Sequence, residues 1–228
     1  MKKISAIVLA AGKGSRMNST TKKQFMEMNG KPVIWYSLFA FEIYGVDQII
    51  LVTGKEDVEY CRKEIVGKYG FTKVTDIVEG GKERYQSVYN GLKKVTGDIV
   101  MIHDGARPLV SGAIIDRCVK GTLEYGACVA GVPVKDTIKI LDENRAVTDT
   151  PDRNRLWITQ TPQSFTYELV KNAYDKMQKS NSGNVTDDAM VVERFSDHKI
   201  RFVEGEYSNI KVTTPEDIFI AEMLLKRK

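Results

Sequence analysis

A chain of 228 residues with 42% hydrophobic and 28% charged residues has the make-up of an ordinary globular protein, long enough to bury a substantial core as one domain. Its 34 basic and 30 acidic side chains leave a net charge of only +4, and the Lys and Arg residues are dispersed. That argues against a nucleic-acid-binding arm and for local pockets for small anions. Nothing approaches the roughly twenty consecutive apolar residues of a membrane span.

The run over residues 4–11 predicts a buried strand that ends at Gly12 and Gly14, where glycine lets the main chain turn close to a ligand. Met1-Lys2-Lys3 ahead of it faintly resembles a secretory signal, but the run flows straight into the turn with no cleavage-like segment. Successive N–H groups in such a turn make a concavity for anions. Lys13, Arg16, Lys22 and Lys23 add four cations within eleven residues and no acid among them. This is the pattern of a phosphate site. It is not a dinucleotide turn, because Met17 stands where the third glycine belongs, and no Gly-Lys pair is followed by Ser or Thr as a Walker loop requires. The cation cluster favours a triphosphate.

Pro32 opens a helix over 32–44 that Gly45 ends, and 47–53 is a second buried strand. A charged helix over 55–69 and a strand over 73–78 follow, then Gly80-Gly81 and a helix over about 83–95. Ser87 falls near the start of that helix, where bonding to its own backbone is the plain reading and contact with a base edge the functional one. The strand over 98–102 runs into His103-Asp104-Gly-Ala-Arg107. A carboxylate at the carboxyl end of a parallel strand suits Mg²⁺, which takes one or two carboxylates and completes its shell with phosphate and water. The competing reading pairs Asp104 with Arg107. His103 reads as structural, and with His198 as the chain's only other histidine there is little basis for a zinc site or a Ser–His triad.

A helix over 111–125 and a strand over 127–134 precede a change of pattern. Residues 135–151 alternate apolar and polar about Asp142-Glu-Asn-Arg145, which predicts an antiparallel hairpin with little reason to be buried by its own subunit. Such a hairpin is marginal alone and calls for a partner. Residues 160–165 lead into a helix over 166–179, Thr186 caps a helix running to about 195, a strand spans 199–204, and Thr214-Pro215 open the last helix. Lys211, at an element boundary, reads alone as a solvated lysine. Strands alternating with helices predict βαβ units and a mostly parallel sheet, whose ligands bind beyond the carboxyl ends of its strands. Cys61, Cys118 and Cys128, odd in number and without a C-x-x-C, read as free buried thiols in a reducing, cytoplasmic compartment.

Nine segments in order, AAGKGSRM, KKQF, EGGKERYQSV, IHDGARPLV, PVKDTIK, TPDRNRLW, QTPQSF, VTDDA and EGEYSNIKVTTPED, resemble the 2-C-methyl-D-erythritol 4-phosphate cytidylyltransferase family of the nucleotidyltransferase superfamily. The resemblance implies a Rossmann-like α/β nucleotidyltransferase fold of one domain over 1–228, with a protruding β-hairpin arm at about 136–156 through which a homodimer forms. It implies CMP transfer from CTP to the sugar-alcohol phosphate, with release of pyrophosphate and assistance from Mg²⁺ at Asp104. By motif position Arg16 and Lys23 embrace the triphosphate. Ala10, Ala11, Gly12 and Gly14, with Gly80, Gly81 and Ser87, form the cytidine pocket. Thr137, Arg153 and Lys211 position the acceptor, with Arg107 and Thr186 nearby, and Thr137 and Arg153 reach the neighbouring subunit's site. A ribitol-5-phosphate cytidylyltransferase on the same scaffold is the nearest rival. Superfamily members for other nucleotides, a silent nucleotide-binding module and an NAD-dependent oxidoreductase fit the residues less well.

Overall fold

The computed structural model describes residues 2–12, 22–180 and 184–227. In chain order these form β1 (Ile4–Ala10), a short hairpin of β2 (Glu27–Met28) and β3 (Lys31–Pro32), α1 (Val33–Tyr44), and β4 (Gln48–Thr53). A helical stretch over 55–69, including α2 (Val58–Tyr60) and a widened turn over Cys61–Gly67, leads to β5 (Val74–Glu79). Then come α3 (Arg84–Leu92), β6 (Ile99–Asp104), α4 (Gly112–Tyr125), β7 (Ala127–Pro133), a hairpin of β8 (Ile140–Leu141) and β9 (Val147–Asp149), and β10 (Trp157–Thr166). The chain ends with α5 (Tyr167–Lys179), α6 (Asp188–Phe195), β11 (Arg201–Glu204) and α7 (Pro215–Leu225).

Seven strands form one sheet in the order β11-β7-β10-β6-β1-β4-β5. Every neighbouring pair is parallel except the two made by β10, which runs antiparallel to both β6 and β7. Period-two alternation sends successive side chains to opposite faces. Ala6, Val8 and Ala10 of β1, Ile49 and Leu51 of β4 and Met101 of β6 join Ile34, Leu38 and Phe41 of α1 and Ile114, Ile115 and Cys118 of α4 on one side. Ile7, Ile50, Val52, Val100 and Ile102 join Val88 and Leu92 of α3, Val170 and Tyr174 of α5 and Val191 and Val192 of α6 on the other. This is the expected α/β architecture, with both faces covered because both faces are apolar.

Three local readings are corrected. Residues 157–166 are a ten-residue strand, not a lead-in to a helix. Its segment Thr-Gln-Thr-Pro-Gln-Ser carries no apolar alternation, and Pro162 argues against a central strand. The chain escapes that rule because the register against β7 shifts between Thr159 and Gln163, so the ladder is broken where Pro162 lies. The cap of α6 is Asp187, which accepts from the Met190 N–H at 2.9 Å, while Thr186 is exposed and its hydroxyl faces the Met190 sulfur. Pro32 precedes α1 as its N-cap and pairs in the β2–β3 hairpin. The arm hairpin exists, and Asp142 shapes its turn by accepting from the Asn144 and Ala146 N–H groups. Its residues are exposed from Lys135 to Thr150. All three cysteines are free and buried.

Candidate active site

A cleft of about 750 Å³ opens where β1, β4, β5 and β6 end, lined among others by Ala10–Gly12, Gly54–Glu56, Glu79–Arg84, Ser87, Asp104 and Lys211. The sheet places it there: four parallel strands stop at one level, and the loops leaving them diverge to opposite faces. Of the expected site residues, Ala10, Ala11, Gly12, Gly80, Gly81, Ser87, Lys23, Asp104 and Lys211 all line this cleft. Gly14 and Arg16 lie outside the described residues. Arg107, Thr137, Arg153 and Thr186 do not line it.

The glycines earn their places by different means. Gly12 is not in the left-handed region, and a Cβ there would meet nothing within 4 Å among the described residues, so the expected conformational requirement does not hold at that position. Gly80 and Gly81 are needed for close approach. A Cβ on Gly80 would stand 2.5 Å from the Ala11 Cβ, and one on Gly81 2.2 Å from the Gln86 Cβ. Ser87 fixes this turn, since its hydroxyl accepts from the Gly81 N–H at 3.0 Å and donates to the Glu83 carbonyl at 3.3 Å. The backbone role expected for Ser87 is therefore real, and the bond to Gly81 makes it part of the pocket wall. On the opposite wall, buried Gln24 donates to the Ala10 carbonyl at 2.6 Å and the Gly12 carbonyl at 3.3 Å, which holds the end of β1.

The cations divide. Lys23 lines the cleft and donates to the Val212 carbonyl at 3.2 Å. Lys22 is turned away from phosphate duty by two carboxylates, Glu56 at 2.5 Å and Asp57 at 2.6 Å. Lys211 is no solvated lysine: its ammonium meets Asp104 Oδ2 at 2.5 Å. Asp104 is thus ion-paired, though with Lys211 and with Arg84 Nε at 3.3 Å and not with the Arg107 side chain. Burial pushes the Asp104 carboxyl up, but Arg84, Lys211 and the more distant Arg107 outweigh it and hold the group well below the usual carboxylate range. The Arg107 guanidinium instead donates to two backbone carbonyls, Asn209 at 2.7 Å and Thr159 at 3.4 Å, and so ties β10 to the strap carrying Lys211.

Arg84 and its anchor were not marked in the sequence. The guanidinium donates to both carboxylate oxygens of fully buried Asp188, at 2.8 and 2.7 Å, and Tyr174 donates to the same carboxylate at 2.6 Å. One signal existed: Arg84 is the first residue of α3, where a cation opposes the helix dipole. Asp188 gave none, because an acid at a helix start is ordinary. His103 is buried between the Thr161 hydroxyl at 3.0 Å and the Arg107 carbonyl at 3.1 Å, and burial pushes its pKa down to about 4. It is neutral and structural, as expected.

For a divalent cation the cleft offers carboxylates singly. Among the described residues no group of three His, Cys, Asp or Glu side chains forms a ready metal cage. Ionised Asp104 at the floor of the cleft still fits Mg²⁺, which takes one or two carboxylates and completes its shell with phosphate oxygens and water. Thr137 and Arg153 sit on the exposed arm and at its base, where Arg153 donates to the Lys135 carbonyl at 3.3 Å.

A protein from Lachnospira eligens described as 2-C-methyl-D-erythritol 4-phosphate cytidylyltransferase is 52% identical over 97% of this chain and 99% of its own. One of the same description from Lachnoclostridium phytofermentans is 48% identical over 99% and 97%. The crystal structure of 4-diphosphocytidyl-2C-methyl-D-erythritol synthase from Anaerococcus prevotii superposes with a TM-score of 0.86 at 36% identity, covering 99% of both chains. The Thermus thermophilus cytidylyltransferase structure gives 0.78 at 26% identity, over 99% of this chain and 100% of its own. The family model for 2-C-methyl-D-erythritol 4-phosphate cytidylyltransferase matches residues 4–227, and the chain belongs to that family.

Proposed function

We propose that this chain transfers CMP from CTP to 2-C-methyl-D-erythritol 4-phosphate, giving 4-diphosphocytidyl-2-C-methyl-D-erythritol and pyrophosphate for isoprenoid biosynthesis. The observation that carries this reading is the cluster of Lys23, Asp104 and Lys211 in one cleft beside the Gly80-Gly81 turn, in a chain whose family match runs nearly end to end. A phosphate oxygen of the acceptor attacks the α-phosphorus of CTP, the new P–O bond forms, and the bond to the bridging oxygen breaks as pyrophosphate leaves. A phosphate monoester is nucleophile enough near neutral pH, so no histidine base is required.

The residues supply position and fixed charge. The turns at Ala10–Gly12, with Gly14, and at Gly80-Gly81-Ser87 receive the nucleoside. Arg16 and Lys23 hold the triphosphate and balance charge developing at the α-phosphorus. Lys211 exchanges its bond to Asp104 for one to phosphate. Asp104, freed of Lys211, would hold Mg²⁺, and the ion, when bound, would neutralise phosphate charge. In a homodimer the arm carries Thr137 and Arg153 to the partner's cleft, where they position the acceptor with Arg107 and Thr186 nearby. Its exposed Ile138, Ile140, Leu141 and Val147 support that reading, since such side chains gain most when a second surface covers them. We place the enzyme in the cytoplasm as a single catalytic domain per chain; three unpaired thiols suit a reducing compartment, and no described helix is long and apolar enough to cross a membrane.

Pyrophosphate release from CTP and Mg²⁺, measured in parallel with methylerythritol 4-phosphate and ribitol 5-phosphate, tests the assignment. Strong preference for the first is expected. Preference for the second moves the protein to polyol-phosphate chemistry on the same scaffold. Binding of CTP without release from either acceptor leaves only a nucleotide-binding module.

A further inference from the structure

The cleft floor continues inward from Lys211 and Asp104 as a bonded line whose inner members the proposed reaction does not use. Lys211 meets one oxygen of Asp104, Arg84 Nε meets the other, and the two terminal nitrogens of Arg84 are taken by Asp188. Asp188 is held in turn by the Tyr174 hydroxyl, and its backbone N–H donates to Gln163 Oε1 at 2.9 Å. The line therefore runs from α5 and α6, through Arg84 of α3, to the end of β6.

We propose that Arg84 is a positioning residue that fixes the Asp104 carboxylate while Lys211 leaves it for a substrate phosphate. The proposal rests on the roles given above to Asp104 and Lys211. The Asp104 side chain is 13% exposed, so losing Lys211 with nothing in its place would strand a nearly buried charge. Arg84 prevents this. With three of its nitrogens engaged, the planar guanidinium has one orientation, and only a fork of that shape can serve two carboxylates at once. Because Asp188 is fully buried and bonded on every side named above, the arrangement is set by the core and does not depend on what occupies the cleft. A cation at the first residue of α3, costly to the helix by itself, is explained by this duty.

The test is a double-mutant cycle. Arg84→Lys is made in the native chain and in the Asp104→Asn background. Turnover, KM for each substrate, melting temperature and Mn²⁺ affinity of the CTP complex by electron paramagnetic resonance are then measured. In the native chain Arg84→Lys should lower kcat by on the order of tenfold to a hundredfold, as a small misplacement of a catalytic group does. It should leave KM for CTP within about threefold and weaken Mn²⁺ binding by on the order of tenfold, a positioning energy of about 1.4 kcal/mol. Combined with Asp104→Asn it should cost nothing further, because its target is gone. Equal losses in both backgrounds, or a loss confined to KM for CTP, would overturn the proposal. If Arg84→Lys fails to fold, Asp188→Asn, which removes the charge and one of the two acceptors that anchor the guanidinium, must give the same pattern or the proposal falls. Native protein that releases no pyrophosphate with methylerythritol phosphate would refute the reaction, while the Mn²⁺ comparison still decides whether Arg84 sets Asp104.

Discussion

The cleft floor and the arm are built on opposite physical plans. At the floor, the cations are held by two carboxylates that are themselves largely buried: Lys211 and Arg84 by Asp104, and Arg84 also by Asp188. Their orientation is fixed before any ligand arrives. On the arm, Thr137 and Arg153 stand on exposed backbone, and two strands of two and three residues carry apolar side chains in contact with water. One region has its electrostatics settled within the chain. The other leaves apolar side chains uncovered that a second surface would bury. Damage at the floor should therefore show in chemistry, and damage on the arm in association and acceptor binding.

The largest effect that would sharpen this contrast is at Lys23. Lys23→Ala should lower turnover by on the order of 10²–10³, the loss expected for one preorganised charge-stabilising donor, with the melting temperature little changed. Turnover within tenfold of native would remove Lys23 from the mechanism. Next comes the pH response of the core beneath the floor. Burial lowers the His103 pKa to about 4, so between about pH 6.5 and 4 the unfolded chain binds a proton that the folded chain refuses. Stability is then unpenalised above pH 6.5 and lost as pH falls, by about 3 kcal/mol at full extent on about 1.36 kcal/mol per pH unit. Urea unfolding of native and His103→Gln protein at pH 7 and 4.5 should show a steeper acid loss for the native chain; equal slopes would mean that His103 titrates normally.

Arg153→Ala should raise KM for methylerythritol phosphate and lower kcat/KM by about tenfold, as for one charge-assisted contact, without changing CTP affinity. Unchanged acceptor kinetics would detach Arg153 from the site. The smallest energetic effect belongs to Ile140→Asp, an exposed position where surface substitutions change stability by about 0.5 kcal/mol or less. Sedimentation should nevertheless show the proposed dimer weakened or lost. An undisturbed dimer would break the comparison, because the arm would then have no partner to explain its apolar face.

Much of this was present in the residue pattern. Apolar runs at β1, β4 and β6 specify buried parallel strands whatever surrounds them, since a segment apolar on both faces must be covered on both. Turn chemistry located the cleft: Gly80-Gly81 and the strand-terminal Asp104 marked the ends of elements that a parallel sheet brings to one level. Free thiols and a structural His103 followed from counts and spacing. What stayed hidden is also of one kind. The polar, proline-bearing strand over 157–166 is a strand because β6 and β7 leave a place between them, and no local pattern encodes that vacancy.

Lys211 and Asp104 are 107 positions apart, as Arg84 and Asp188 are 104 apart, so their pairing depends on loops and layers rather than on spacing. The sequence by itself determined the alternation of strands and helices, the strand-terminal turns that line the cleft and the exposed nature of the arm, because hydrophobic period and turn residues act over a few positions. Only the tertiary structure decided which cations face the cleft, which are spent on carboxylates and which carboxylate holds which arginine. Those outcomes depend on distances of about 3 Å between groups that the chain keeps far apart until it folds.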